Sequence, residues 1–456
     1  MQNSDLTNES FHMKKVGQNF LGILNDLKRR PEDASKELGV SLEKLIDIIQ
    51  GKELLSTEII TKAIKIWPVN VSDFHIIFDD TINGIKIMST DESKLTSRIM
   101  NRAGNPYYEY RDTVMSTVAP FRPEWIMELC HVDDNDPENL DAKWNNGHFM
   151  HQFTYFIGDV NFYYLDENNK KQIAVMKTGD SMYISPFVPH TFTSRNKSNN
   201  GLILALTYGN KLSGDVKQEL SSLSTKYGSQ FSLDFSTRES ASGSLLKFHR
   251  EISSLTLDEI STRTKISKNI ILELETSERL PNIEELSLLA NSYNINSREL
   301  LPPDLIDNNV IVSYYDKARR WYYPENSTIY EFVELASTRN LPFSKTFEIN
   351  VQNPNGIGDE FKIGLHQFIY NVGDTTIQLN WMFDDKKHTK EIHPGDSLYI
   401  KPFLQHNFSG VGKLVVLRVG GKIPGDSQRE LSALGKRNTR RAIDESIQWF
   451  DPKGKN

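Results

Sequence analysis

The chain has 456 residues, a formal net charge of −7 and a single cysteine, Cys130. One cysteine excludes an intrachain disulfide and a zinc cluster built from several cysteines, and the acidic balance argues against a nucleic-acid coat or a polybasic membrane binder. The polar start, MQNSDLTNES, has no apolar signal core, and no apolar run of about 18 residues occurs. These features predict a cytoplasmic globular protein of several domains that binds neither nucleic acid nor membrane.

Two stretches of short amphipathic helices match each other without a gap. The first, GVSLEKLIDIIQGKELL, begins at Gly39, and the second, KISKNIILELETSERL, begins at Lys265. Both place apolar residues three to four positions apart, and both have a serine, Ser41 or Ser267, where a helix cap is expected. The pattern predicts a helix-turn-helix bundle of small repressor type in each half of the chain.

The segment after each bundle is also duplicated. HQFTYFIGDVNFYYL from His151 matches HQFIYNVGDTTIQLN from His366, and TGDSMYISPFVPHTF from Thr178 matches PGDSLYIKPFLQHNF from Pro394. Alternating apolar residues between Gly-Asp turns predict strands. The spacing Gly-Asp-x-x-Tyr-Ile-x-Pro-Phe-x-x-His resembles the motifs of the cupin superfamily, which implies double-stranded β-helix barrels of jelly-roll type. We therefore predict an α+β tandem repeat with helix-turn-helix-like domains at 1–90 and 236–312 and cupin domains at 91–235 and 313–456.

The stretch GHFMHQFTYFIGD contains the candidates for a metal site. Side chains alternate between the two faces of a strand. If 147–157 forms one strand, His148 and Gln152 share a face and His151 lies on the other. Together with the histidine of the second motif, His190, the first two residues make a predicted metal site.

The second copy of this motif differs at one metal-binding candidate. Ile363 stands in place of His148, while the other positions are retained as His366, Gln367 and His406. A histidine that persists in a copy without the full site fits a structural role better than a ligand role. We therefore predict a catalytic first cupin domain and a structural second one.

Three further polar residues of the first half are replaced in the second half. The first half has a cation, a phenol and an amide at these positions, and the second half has apolar or altered residues. The matched pairs are Arg102 with Pro324, Tyr110 with Phe332, and Asn145 with Glu360. The polar groups again point to the first half as the catalytic one.

The third metal-ligand candidate is a glutamine rather than a carboxylate. Histidine pairs with open coordination positions suit Fe(II), Mn or Zn, and two histidines with one carboxylate are usual for Fe(II) oxygenases. A neutral Gln152 oxygen would leave the metal more positive, which favours an anionic chelating substrate. The alternative is that Gln152 only hydrogen-bonds inside the barrel, and its repetition as Gln367 supports that alternative.

The duplicated architecture, the spacing of Arg102, Tyr110, Asn145 and His148, and the motif PFVPH resemble the hydroxyethylphosphonate dioxygenase and methylphosphonate synthase family. The resemblance implies a non-haem Fe(II) oxygenase that acts on 2-hydroxyethylphosphonate with O2 and without 2-oxoglutarate. In the dioxygenase branch a glutamate near the position of Ile184 ligates iron. Its absence resembles the methylphosphonate synthase branch and implies methylphosphonate and carbon dioxide as products. The alternative products, hydroxymethylphosphonate and formate, belong to the dioxygenase branch.

The resemblance also implies roles for individual residues. Fe(II) would be held by His148, Gln152 and His190. Substrate binding would fall to Arg102, Tyr110, Asn145, His190 and Lys28, with Arg102 and Tyr110 also the catalytic candidates. Arginine suits a phosphonate because its planar fork binds two oxygens. The alternative for Lys28, in NDLKRR, is a solvated helix lysine. The family further implies a homo-oligomer.

Two other functional classes are weighed against the oxygenase. A helix-turn-helix protein with a cupin sensor would be a transcriptional regulator, but the recognition-helix candidate SLEKLIDIIQGK has no arginine for guanine edges and its counterpart SKNIILELETSER has three glutamates. A zinc or manganese cupin isomerase is the other class, and metal analysis of anaerobically purified protein would separate it from the oxygenase.

Overall fold

The computed structural model of the chain describes residues 2–119, 121–209, 212, 214–303, 309–354, 356 and 360–444. Helical and β segments alternate twice along the chain, in agreement with the predicted mixed α and β class. The first helical section contains α1 (Gln2–Asp26), α2 (Pro31–Leu38), α3 (Leu42–Ile49) and α4 (Thr57–Ile66). Among the described residues, no helix is long and apolar enough to cross a membrane.

The first β section follows after the strand β1 (Ile85–Met88) and the short helix α5 (Thr90–Leu95). Its strands are β2 (Arg98–Arg102), β3 (Asn105–Asp112), β4 (Arg122–Glu128), β5 (His151–Ile157), β6 (Val160–Leu165), β7 (Lys171–Met176), β8 (Ser181–Ile184), β9 (His190–Ser194) and β10 (Leu202–Tyr208).

The second helical section contains α6 (Asp215–Ser222), α7 (Thr225–Gly228), α8 (Arg238–Ile252), α9 (Leu257–Thr264), α10 (Lys268–Glu275) and α11 (Ile283–Tyr293). The second β section then contains β11 (Val310–Ser313), β12 (Arg320–Tyr322), β13 (Tyr330–Glu334), β14 (Ser344–Asn353), β15 (His366–Asn371), β16 (Ile377–Phe383), β17 (Lys386–Ile392), β18 (Ser397–Ile400) and β19 (His406–Val419), and α12 (Asp426–Asp444) follows it.

The two helical sections begin their third helices in the same way. The Ser41 hydroxyl accepts a hydrogen bond from the backbone N–H of Lys44, and the Ser267 hydroxyl accepts one from Ile270. Both serines are therefore N-caps, as the sequence predicts. Each section has its own apolar core, centred on buried residues such as Phe20 in the first.

The first β section is built from two sheets. One has the strand order β11-β8-β5-β10-β4-β3-β2, and the other has the order β7-β6-β9. Buried aromatic residues of both sheets, among them Phe156, Phe162 and Phe192, form a shared core. This arrangement of antiparallel sheets is cupin-like, and it places the inward-facing side chains of β5 and β9 in one interior.

The two halves of the molecule exchange strands. β1, from the first half, pairs with β18 of the second β section, and β11, from the second half, pairs with β8 of the first. A core that contains Tyr155, Phe153, Phe368 and Tyr370 lies between the two β sections. Because each half completes a sheet of the other, the first β section depends on the second for its structure.

A candidate metal and phosphonate site

The candidate site begins in a loop, and this corrects the expectation that 147–157 is one strand. β5 begins at His151, and His148 lies before it. Gly147 has a φ of 75°, and a Cβ atom there would lie 2.5 Å from the carbonyl carbon of Phe187. The close approach of this loop to the residue 186–189 turn, where the Phe187 N–H donates to the His148 carbonyl at 2.8 Å, ends the strand pairing. Glycine is required at this position because only glycine fits both the φ angle and the space.

His148 and Gln152 nevertheless meet, as the sequence predicts. The two atoms His148 Nε2 and Gln152 Oε1 lie 2.9 Å apart, and His148 Nδ1 lies 2.9 Å from the carbonyl oxygen of Met150. A carbonyl oxygen only accepts, so Nδ1 carries the proton and Nε2 has a free lone pair. Two acceptor atoms therefore converge at 2.9 Å, an arrangement that a cation between them would stabilise.

His190 is the first residue of β9 and brings a third acceptor to the same place. Its Nδ1 lies 2.8 Å from the carbonyl oxygen of Val188, which leaves the Nε2 lone pair facing inward. The ring centroids of His148 and His190 are 5.2 Å apart. Burial lowers the pKa of His190 to about 3, so the ring is neutral. A neutral imidazole is the form that binds a metal.

This donor set fits a divalent metal ion. Ligand atoms about 2.1 Å from a metal and at right angles lie about 3.0 Å apart, close to the spacing between His148 and Gln152. Within the described ranges, no group of three or more His, Cys, Asp and Glu residues is placed to hold a metal. Ile184, fully buried, pairs with Gln152 across β5 and β8. A metal at this place would therefore take the Gln152 oxygen rather than a carboxylate.

Asn145 lies against His190. Its Nδ2 donates to His190 Nε2 at 3.1 Å, and its Oδ1 accepts from the backbone N–H groups of His190 at 3.0 Å and Gly147 at 2.9 Å. The two bonds to Oδ1 fix the amide, so the Nδ2 donor must point toward the centre of the site. Asn145 can therefore offer a hydrogen bond to an oxygen of a bound ligand.

Arg102 approaches the site from the end of β2. Its Nη1 donates to the Thr191 hydroxyl at 3.0 Å and to the Lys143 carbonyl, and its guanidinium lies over the rings of Tyr107 and Tyr108, at 5.0 and 4.7 Å from their centroids. Arg102 forms no ion pair with any carboxylate that the structure describes. Stacking holds this cation in place and leaves its charge available to an anion.

Sequence reasoning did not identify the residues that hold Arg102. The hydroxyls of Tyr107 and Tyr108 each lie 3.0 Å from the Thr191 hydroxyl oxygen, which also receives Arg102. Thr191 directly follows the ligand candidate His190, and that adjacency was the one available signal. The tyrosines could not be placed because their contact with β9 joins two separate sheets.

Tyr110 is partly buried, whereas Lys28 is exposed. Tyr110 lies on β3 with its ring centroid 5.8 Å from that of Tyr108, and burial raises its pKa to about 12. Its hydroxyl is therefore neutral at ordinary pH. Lys28 lies in the exposed turn after α1, where Nζ donates to the Asp26 carbonyl at 2.9 Å. The role of Lys28 in phosphonate binding stays a prediction.

His151 and His366 have the matching structural roles that their repetition predicts. His151 Nδ1 lies 2.7 Å from the hydroxyl of Tyr183, and His366 Nδ1 lies 2.6 Å from that of Tyr399. Both histidines are buried, and each stacks on its tyrosine ring. They lie on the opposite face of their strands from Gln152 and Gln367.

The corresponding place in the second β section is filled by protein groups. Arg418 pairs with Gln367 in the register of β15 and β19, and its Nε donates to Gln367 Oε1 at 3.1 Å. Gln367 Nε2 lies 3.4 Å from His406 Nε2. In the second section the glutamine oxygen therefore accepts a hydrogen bond from a guanidinium cation. In the first section the corresponding oxygen faces the lone pair of His148 Nε2.

No family model matches the chain, but whole-length relatives exist. The methylphosphonate synthase of Nitrosopumilus maritimus is 57% identical over 446 residues, which cover 98% of this chain and 97% of the relative. A structure of Streptomyces albus HEPD with its substrate 2-hydroxyethylphosphonate and Fe(II) bound is 32% identical, with a TM-score of 0.89 over 96% of this chain and 99% of that chain. Cadmium-containing PhpD, 19% identical with a TM-score of 0.74 over 94% and 99%, shares the fold. The chain therefore belongs to the methylphosphonate synthase and hydroxyethylphosphonate dioxygenase family of non-haem iron oxygenases.

Proposed function

We propose that the protein is an Fe(II)- and O2-dependent oxygenase that converts 2-hydroxyethylphosphonate into methylphosphonate and carbon dioxide. One observation carries this proposal. His148 Nε2 and Gln152 Oε1 converge at 2.9 Å, while the residue that faces Gln152 across the sheet is Ile184 rather than a carboxylate. The ligand set is thus two histidines and a glutamine, which supports the methylphosphonate branch rather than the dioxygenase branch.

The three ligands would be His148, Gln152 and His190. Bound Fe(II) would supply a template for the chelating substrate and the redox chemistry with O2. The protein keeps both imidazoles in one tautomer by placing a backbone carbonyl against each Nδ1, at 2.9 Å for His148 and 2.8 Å for His190. Such contacts orient metal-binding histidines and fix which nitrogen binds.

The remaining side chains bind and orient the substrate. Arg102 brings the positive charge for the phosphonate, and its stacking on Tyr107 and Tyr108 sets the plane of the guanidinium. Asn145 Nδ2 offers a donor beside the metal position. The Tyr110 hydroxyl keeps its proton, because burial raises its pKa to about 12, and can donate to a phosphonate oxygen. The residues therefore provide three donors for an oxyanion.

The proposal includes a division of the chain into four domains. The domains are helix-turn-helix-like at 1–90 and 236–312, catalytic cupin at 91–235 and structural cupin at 313–456. The resemblance between the caps and cores of the helical sections supports the first two assignments, and Arg418 supports the last. The enzyme is cytoplasmic and homo-oligomeric, it binds neither nucleic acid nor membrane, and Lys28 reaches the phosphonate.

The test is a direct assay. Protein loaded with Fe(II) under anaerobic conditions is mixed with 2-hydroxyethylphosphonate and O2, and the phosphorus NMR spectrum is followed, with a His148→Ala variant as the control. A methylphosphonate signal that the control lacks is the expected result. Hydroxymethylphosphonate as the sole product would move the protein to the dioxygenase branch, and unchanged substrate would overturn both assignments.

A further inference from the structure

The two ends of the Gln152 amide have opposite chemistry, and only one end can bind a metal. The carbonyl oxygen Oε1 has lone pairs, whereas the NH2 group donates hydrogen bonds and has none to give. In this structure Oε1 faces His148 Nε2 at 2.9 Å, and Nε2 donates to the Thr154 hydroxyl oxygen at 2.9 Å. Thr154 lies two residues further along β5, on the same face, and is fully buried.

The second β section contains a natural comparison for this contact. Ile369 stands two residues after Gln367, where the first section has Thr154. There the amide is turned the other way, with Nε2 at 3.4 Å from His406 Nε2 and Oε1 accepting from Arg418. His406 Nδ1 faces the carbonyl oxygen of Leu404 at 2.8 Å, so its Nε2 is an acceptor. There the Arg418 donor holds Oε1, and the NH2 group, with no hydroxyl two residues further on, points at the histidine lone pair.

The physical reason is the cost of an unpaired donor. A buried NH2 group without an acceptor is unfavourable, so it turns to whichever lone pair is near. In the first section the nearest alternative to Thr154 is the Nε2 lone pair of His148, which faces the amide already. If the amide turned, the NH2 group would occupy the centre of the site and one ligand would be lost.

We propose that Thr154 is a positioning residue of the metal site: its hydroxyl accepts the Gln152 NH2 group and so keeps the carbonyl oxygen turned toward His148 and the metal. This inference rests on the proposed function in one respect, since it takes Gln152 as a metal ligand. Thr154 itself does not touch the metal. It acts only through the orientation of the amide.

The first experiment measures metal affinity in three variants. Fe(II) and Co(II) are titrated anaerobically into the metal-free proteins, followed by calorimetry and, for Co(II), by the visible spectrum. Thr154→Val is expected to weaken binding roughly 10–100-fold, the usual effect of losing a contact that orients a ligand. Thr154→Ser, which keeps the hydroxyl, should bind close to wild type.

The third variant, Thr207→Val, is the matched control. Thr207 pairs directly with Gln152 on the neighbouring strand, but its hydroxyl donates to the Arg122 carbonyl at 2.8 Å rather than to the amide. It should bind the metals as wild type does. Equal losses in Thr207→Val and Thr154→Val would show that any change of threonine in this sheet disturbs the site, and would overturn the proposal.

A double-mutant cycle that combines Thr154→Val with Gln152→Glu tests whether Thr154 acts through the orientation of the Gln152 amide. Gln152→Glu places an oxygen at both ends of the side chain, so its rotation no longer matters. Thr154→Val should therefore weaken metal binding much less in the Gln152→Glu background than in wild type. An equal loss in both backgrounds, or no loss in the single variant, would contradict the proposal.

Two further measurements keep the outcomes separate. The thermal midpoint of each metal-free variant shows whether it is folded. If Thr154→Val does not fold, Thr154→Ala, which also lacks the hydroxyl, takes its place: weaker binding than in Thr154→Ser agrees with the proposal, and equal binding in the two contradicts it. Failure of the proposed function would look different. In that case His148→Ala would bind Fe(II) as tightly as wild type, because no metal site would exist at this place.

Discussion

The two β sections have the same strand order around the same glutamine and histidine, yet their centres differ. In the first, the acceptor atoms His148 Nε2 and Gln152 Oε1 lie 2.9 Å apart. In the second, the Arg418 guanidinium donates to Gln367 and supplies a cation from within the chain. The proposed metal site of the first section therefore corresponds to a place in the second where the chain itself supplies a cation.

The scaffold around these centres is the same in both halves. Asp180 Oδ2 accepts from the backbone N–H of Lys177, and Asp396 Oδ2 accepts from that of His393. The other carboxylate oxygen of each reaches into the opposite half, Asp180 to the Tyr315 N–H and Asp396 to the Thr90 N–H, both at 2.8 Å. These residues hold the exchanged segments, so they persist in both copies whether or not a site is present.

The largest effect is expected where the halves differ most, at His148. His148→Ala removes one of the three proposed ligands and should abolish both Fe(II) binding and turnover. His151→Ala, three residues further on, should keep most of the iron because His151 bonds to Tyr183 outside the site. Anaerobic iron titration and phosphorus NMR of the products measure both variants. Comparable iron loss in the two would mean that the faces of β5 are wrongly assigned.

The next effect tests the core shared by the two sections. Glu348 is fully buried, and its oxygens accept from the hydroxyls of Tyr155 at 2.6 Å and Tyr315 at 2.7 Å, with Lys413 Nζ at 3.6 Å. Glu348→Ala removes the acceptor of both tyrosine hydroxyls and should destabilise the protein by about 1–3 kcal/mol for each buried hydroxyl left without an acceptor. Chemical denaturation followed by fluorescence measures the loss.

The matched variant for Glu348 is Tyr315→Phe, which removes one donor and leaves the carboxylate. It should cost about 0.5–1.5 kcal/mol, the effect of one typical hydrogen bond. A second, separate unfolding transition in Glu348→Ala would show that the two β sections fold independently, against the strand exchange. Loss of metal binding in Tyr315→Phe at unchanged stability would also contradict a purely structural role.

The sequence could predict the parts of the molecule that depend on local pattern. The α+β order, the caps at Ser41 and Ser267, and the meeting of His148 with Gln152 and His190 follow from spacing and repetition. The reason given for that meeting, one continuous strand, was wrong, because β5 begins only at His151 and His148 lies in the loop before it. His148 and Gln152 still meet, because the loop before β5 directs the His148 side chain toward the Gln152 amide.

Other features could not be predicted because they depend on contacts between distant segments. The exchange of β1 and β11 joins residues about three hundred and about one hundred and thirty positions apart, as in the pairs Ile85 with Ile400 and Val310 with Ile184. The part played by Arg418 follows from the register that sets it opposite Gln367. The sequence shows only that an arginine lies on a strand. Its position opposite Gln367 depends on how the strands pair in the sheet.

A smaller effect should follow from converting the second section back toward the first. Three changes, Ile363→His, Ile369→Thr and Arg418→Thr, restore the missing ligand, the hydroxyl beside the glutamine, and the small residue opposite it. The variant should bind a second equivalent of Co(II), roughly 10–100-fold more weakly than the first because the surrounding contacts still differ. Titration with the visible spectrum counts the equivalents. Ile363→His alone should add none, and a second equivalent in that single variant would contradict the role given to Arg418.

The last comparison concerns a buried acid that only the first section has, and its effect depends on pH. Glu128 pairs with Tyr108 in the sheet, as Val351 pairs with Tyr330 in the second section. Glu128 is fully buried, and neither carboxyl oxygen has a hydrogen-bond partner among the described residues. Burial raises the pKa of Glu128 well above its usual range, despite the opposing effect of the Arg102 charge. The folded protein therefore keeps a proton on this carboxyl that the unfolded chain releases.

The sign of the pH dependence follows from that proton. The stabilising contribution is complete below the usual pKa of glutamate and is lost as the pH rises toward the higher pKa of the folded state. Glu128→Gln has no proton to lose, so the free energy of unfolding of wild type should fall with pH by up to about 1.4 kcal/mol per pH unit relative to the variant. Denaturation at a series of pH values from 5 to 8 measures the difference. Parallel curves for the two proteins would mean that Glu128 is ionised in the folded state. The matching variant Val351→Gln in the second section keeps Glu128, so its curve should run parallel to that of wild type in either case.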